Sequence, residues 1–114
     1  MSNHLGAERR RYPRVHVSDM TAVVLSRLHS AVCVVQDLSA GGARITGEIP
    51  VVYGESIEIT LELYRTPMTA FAHVVRIEGG GFAIEFRDVT PAMHHAIQRQ
   101  VLETLRRGSP RRGS

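Results

Sequence analysis

Two short segments of the chain hold residue types able to grip an anion or a nucleobase. The first is Arg9-Arg10-Arg11-Tyr12-Pro13-Arg14, which places four guanidiniums within six residues. Each is a planar fork of donors that fits a phosphate, or the O6/N7 edge of guanine, through two parallel hydrogen bonds. A lysine would supply the charge without the fork. Taken alone, such a cluster also describes a solvated basic arm. The second segment is Asp37-Leu38-Ser39-Ala40-Gly41-Gly42. In a plain turn, Asp and Ser bond the local backbone and glycine takes positive φ. Asp37 and Ser39 are two apart, however, and so project to one side of an extended chain end. There the carboxylate can accept from the N1–H/N2–H edge of guanine, or hold an arginine fork in place. Ser39 can donate to a phosphate, and Gly42 lets a backbone come close.

The elements that must position these segments are mostly strands. His16 to Leu25 is rich in β-branched residues and reads as a strand that Ser18, Asp19 and Met20 can bulge. Ala31 to Leu38 is a second apolar run that ends in the Asp37–Gly42 turn. Ala43 to Thr46 alternates, with Arg44 and Thr46 on the side opposite Ala43 and Ile45. From Ser56 to Leu63, Ile57, Ile59, Leu61 and Leu63 share one face while Glu58, Thr60 and Glu62 share the other. Only a period of two keeps those sets apart. Met68 to Ile77 reads as a further strand, Gly79-Gly80-Gly81 as a tight turn, and Phe82 to Phe86 as the last strand. Six short strands with glycine-bearing turns predict a barrel or sandwich.

The pattern changes after Val89. Thr90 offers an N-cap and Pro91 a first helical residue, where its missing N–H costs nothing. Met93, Ile97, Val101 and Leu105 then recur at four-residue spacing, flanked by Ala96 and Leu102. That is a helix with one face to bury against the barrel. Gly108 is the expected stop, with Arg106 and Arg107 suited to the negative end of the helix dipole. The Gly/Ser/Pro/Arg-rich residues 108–114 read as a disordered tail.

Composition narrows the function. The chain has 114 residues, 43% of them hydrophobic and 22% charged, enough for one globular domain. All 14 basic residues are arginine and the formal net charge is +3. Residues 1–14 hold four arginines against Glu8, and the tail from Arg106 holds four more with no acid. Residues 15–105 hold six arginines and ten acids. The body is therefore mildly acidic between two basic ends, which argues against a nucleic-acid-binding face spread over the fold. The protein has no Trp, and Phe82 and Phe86 fall on an inward face, so aromatics for base stacking are lacking. No apolar run approaches the ~20 residues of a membrane span. Residues 1–8 have no apolar core or small-residue cleavage pattern, so no leader is expected and the location is expected to be cytoplasmic. Cys33 is the single cysteine and reads as a buried, reduced thiol, which excludes a disulfide framework. His94 and His95 are adjacent on the helix and point about 100° apart, so they do not share a metal. No catalytic, metal-binding or cofactor constellation has suitable spacing, and an enzyme is not expected.

The two polar segments, taken together on this strand pattern, resemble the PilZ domain family. That family carries Arg-x-x-x-Arg ahead of its first strand and Asp/Asn-x-Ser-x-x-Gly after its second. Arg10-x-x-x-Arg14 is the one register that fits the first motif, and Asp37-x-Ser39-x-x-Gly42 fits the second without mismatch. The resemblance covers residues 9–107: an arm over 9–14, a barrel over 15–88 and a helix over 90–107, after a disordered start over 1–8. It implies a mainly β fold, a six-stranded antiparallel split β-barrel with a C-terminal α-helix. It also implies a binding site for cyclic di-GMP where the arm folds over the barrel. Arg10 and Arg14 would contact guanine edges and phosphates, and Asp37 and Ser39 the base and phosphate from the barrel side, with Gly42 keeping the floor open. Arg9 precedes the first motif, where an arginine accompanies binding of a self-intercalated nucleotide dimer in the family. The signal would then pass to a separate, unidentified protein. Two alternatives remain, a ligand-independent protein adaptor and a non-specific nucleic-acid binder that uses the basic ends.

Overall fold

The alternation along Ser56–Leu63 is realised in full: Ile57, Ile59, Leu61 and Leu63 are buried, and Glu58, Thr60 and Glu62 line the other face. The computed structural model describes residues 12–112, with side chains through residue 107. Residues 1–8 and the arm residues Arg9, Arg10 and Arg11 lie outside the described residues.

In chain order the strands are β1 (Val15–His16), β2 (Thr21–Leu25), β3 (Ser30–Leu38), β4 (Gly42–Thr46), β5 (Ser56–Leu63), β6 (Thr66–Glu78) and β7 (Gly81–Asp88). They are followed by one helix, α1 (Pro91–Arg112). The hydrogen-bonded order β3-β2-β5-β6-β7-β4 closes on itself because β4 also pairs with β3. Every pairing is antiparallel. This is a closed six-stranded antiparallel barrel with β1 as an extra strand and a C-terminal helix. Closure gives each of the six barrel strands a neighbour on both sides, and their inward rows pool into one apolar core.

The strand expected over His16–Leu25 is broken in two. Val15 and His16 pair with Leu38 and Asp37 at the end of β3, and Thr21–Leu25 pair with Ser30–Val34 at its start. Between them Asp19 takes φ 60°, a left-handed conformation that Asp tolerates better than most residues. The backbone bonds Val17 N–H to Gln36 O (2.9 Å) and Val35 N–H to Met20 O (2.9 Å) carry the chain across the break.

Cys33 is 1% exposed, and burial pushes its thiol up. Because the thiolate is the nucleophile, the native chain at pH 8 should react with a thiol reagent at least tenfold more slowly than the urea-unfolded chain. Equal rates in stopped-flow labelling would contradict this burial.

The hairpin between β5 and β6 turns on Tyr64 and Arg65 alone, since Leu63 pairs directly with Thr66. Both turn residues have positive φ, 54° and 66°. That is the geometry of a two-residue type I′ turn, which normally recruits Asn or Gly. Arg99 of α1 lies 4.7 Å over the Tyr64 ring and gives this turn a tertiary partner. Arg65→Gly should remove a left-handed strain and raise stability by about 0.5–1 kcal/mol, a few degrees in Tm. A lower Tm would mean that the Arg65 side chain contributes more than its backbone costs.

The helix begins as its sequence suggests, with Met93 N–H donating to Thr90 Oγ (3.1 Å) and Pro91 in the first helical position. Met93, Ile97 and Val101 are buried against the barrel, while Leu105 stays 42% exposed. The helix does not end at Gly108, the expected stop, but continues to Arg112. A glycine costs a helix about 1 kcal/mol relative to alanine, which weakens the last turns without forcing a stop. No helix among the described residues is long and apolar enough to cross a membrane.

Candidate functional site

The end of β3, the turn after it and the chain entering β1 meet at one rim of the barrel. The turn is organised by Ser39. Its Oγ accepts from the N–H groups of Gly41 and Gly42 (3.2 Å each) and donates to Gly42 O at 3.4 Å. Ser39 N–H also donates to Gly42 O (2.9 Å). The hydroxyl is thus engaged by its own turn and is 8% exposed at the residue level.

Gly42 opens β4 opposite Glu85 of β7. A Cβ here would collide with the Ile84 carbonyl oxygen and sit 3.3 Å from Glu85 Cα. The close approach that demands glycine is therefore first of all that of the barrel's own neighbouring strand. Gly41 has a different neighbour, since a Cβ on it would lie 3.2 Å from Tyr12 Cδ2. The Tyr12 ring also meets His94 of α1 edge-on, with centroids 6.2 Å apart and planes at 79°. The entering chain is thus seated between the Ser39 turn and the helix. From Tyr12 it runs into β1, where Val15 pairs with Leu38, so Arg14 is the residue just before that pair and Ser39 the residue just after it. Arg14 is exposed.

Among the described residues, the Asp37 side chain meets other side chains rather than its local backbone. Its register neighbours are His16 on β1 and Arg44 on β4, and both reach it through their side chains. His16 Nδ1 lies 3.3 Å from Oδ1, and Arg44 Nε lies 3.5 Å from Oδ2. Arg44 Nε also approaches Glu78 Oε1 at 3.8 Å, and Arg76 Nη1 lies 3.7 Å from Glu78 Oε2. Arg44 reaches Glu78 because Ala83, its register partner on β7, offers only a methyl group in between. The result is a chain of alternating charges on the barrel's outer face.

Of the residues singled out from sequence, Arg14, Asp37, Ser39 and Gly42 converge on this rim. Arg9 and Arg10 lie outside the described residues. His16, Arg44 and the Tyr12–His94 contact had no assigned role. For Arg44 the signal was present, because alternation with Ala43 and Ile45 already placed it on the outer face.

The profile of the PilZ domain family matches residues 8–103. The chain belongs to the PilZ domain family. Several solved structures share its fold, PilZ domains among them. The PilZ domain of CeSA from a cellulose-synthesizing bacterium is 17% identical with a TM-score of 0.64, over 80% of this chain and 96% of that one. The PilZ domain of Escherichia coli YcgR, solved with c-di-GMP, is 17% identical with a TM-score of 0.72, over 93% and 98%. The Bacillus subtilis inhibitor of motility MotI/DgrA is 17% identical with a TM-score of 0.73, over 83% of this chain and 50% of that one. A comparison with the sequences of curated proteins finds no match. In this PilZ domain no group of three or more His, Cys, Asp or Glu side chains among the described residues could hold a metal ion.

Proposed function

We propose that this PilZ domain is a cytoplasmic receptor for cyclic di-GMP that reports ligand binding to a separate protein and performs no catalysis. The observation that carries the reading is the position of Asp37, on the outer face beside the point where the arginine-bearing arm enters the barrel. In the proposal, Arg9, Arg10 and Arg14 grip phosphates and guanine edges. Asp37 accepts from the guanine N1–H/N2–H edge, and Ser39 donates to a phosphate by giving up its long bond to Gly42 O. Gly42 keeps the adjoining floor free of a side chain. The E. coli relative of the same fold, solved with c-di-GMP, supports the ligand class.

The physics favours an arm that responds to ligand. Four like charges on a short segment repel one another, and a dianionic ligand neutralises them while bridging to the barrel. The Tyr12 contact with His94 gives the response a direct route to α1. Calorimetric titration with cyclic di-GMP, with cyclic di-AMP and GTP as controls, tests the reading. Saturable, guanine-selective binding that is lost in Arg10→Ala is the expected result, with two nucleotides per protomer if Arg9 supports a stacked dimer. A well-folded chain that binds none of the three would overturn the receptor and leave the ligand-independent adaptor.

A further inference from the structure

We infer that Arg44 is a guanine-reading residue, and that it forms with Asp37 one composite reader of the base. The inference rests on the receptor reading above. Around its rim, guanine presents two donors, N2–H and N1–H, followed by two acceptors, O6 and N7. A surface that reads all four needs a carboxylate and, immediately beside it, a donor fork. Asp37 and Arg44 are register partners on adjacent strands, with Arg44 Nε 3.5 Å from Asp37 Oδ2.

The way each partner is held leaves the reading atoms available. Arg44 spends its Nε edge on two carboxylates, Asp37 and Glu78. Neither Nη group donates a hydrogen bond among the described residues, and the side chain is 46% exposed. Its register partner on β7 is Ala83, a methyl group, and beyond it on β6 stand Glu78 and Arg76. On the other flank, among the described residues Asp37 Oδ1 meets the His16 ring; Asp37 itself is 19% exposed, but that ring is 73% exposed and is readily displaced by a base edge. The Glu78 contact gives Arg44 a second anchor, so the fork keeps its place when Asp37 turns to the ligand. Adenine would oppose the reader at both halves, with an unprotonated N1 against the carboxylate and an N6 amino group against the fork.

The test separates Arg44 from the rest of the site by editing the ligand as well as the protein. Replacing guanine N7 by carbon removes an acceptor from the Arg44 side and leaves the Asp37 edge intact. Wild-type protein should bind 7-deaza cyclic di-GMP about tenfold more weakly than cyclic di-GMP. Arg44→Ala should bind cyclic di-GMP about tenfold more weakly than wild type, with no further loss on the 7-deaza ligand. Arg44→Lys, which keeps the charge and loses the fork, should likewise lose the penalty. Thermal unfolding of each variant checks that it is folded. Unchanged affinity in Arg44→Ala, or an undiminished 7-deaza penalty there, overturns the inference and leaves the receptor standing. A wild-type chain that binds no cyclic di-GMP overturns both.

Discussion

Asp37→Ala is expected to weaken cyclic di-GMP binding by roughly ten- to a hundredfold while leaving the barrel folded. A bidentate base contact contributes about 1–3 kcal/mol, and each 1.4 kcal/mol is tenfold in affinity. The loss falls towards the upper end because two guanine donors are left unpaired against the protein. The cost to folding should be small. Asp37 is itself 19% exposed, but its partners His16 and Arg44 are 73% and 46% exposed, and such solvent-screened pairs contribute about 0–1 kcal/mol each. Arg44 also retains Glu78 as a partner. Asp37→Asn keeps one acceptor and should bind better than the alanine variant. Calorimetry beside a thermal melt reads both quantities. Wild-type affinity in Asp37→Ala would remove Asp37 from the site, whereas a collapse of Tm would make its role structural.

Gly42→Ala should act the other way round, on the fold before the ligand. Its added Cβ would strike the Ile84 carbonyl oxygen and crowd Glu85 Cα, both of them backbone atoms of the paired strand β7. No rotamer change relieves a clash with backbone, so the β4–β7 seam must part. Overpacking of this kind costs about 1–3 kcal/mol, and the upper end is expected here, or on the order of 10 °C in Tm. Gly79→Ala is the control. A Cβ at that glycine meets nothing within 4 Å, and the change should stay within about 0.5 kcal/mol of wild type. Together the two melts separate a packing glycine from a ligand glycine. A Gly42→Ala chain that melts with wild type yet fails to bind nucleotide would assign Gly42 to the ligand floor alone.

What the amino-acid sequence determined by itself was local and periodic. The two-residue period of Ser56–Leu63, the Thr90-Pro91 helix start and the Ser39-x-x-Gly42 turn depend on neighbours along the chain, and each was legible there. The two motif segments were legible for the same reason, as residue types at fixed spacing. The tertiary structure alone decided what lies beside what. Closure of β4 on β3 sets the register that puts Arg44 next to Asp37, and the break at Asp19 lets β1 present His16 on the other side. The Tyr64-Arg65 turn carries no glycine or asparagine to announce it, and gains a partner only when α1 brings Arg99 over the ring. Tyr12 is an ordinary residue of the arm until folding sets Gly41 beneath it and His94 at its edge. Spacing along a chain reports which face a side chain takes. Its partner across the sheet is chosen by register, which is set by the packing of the whole barrel at once.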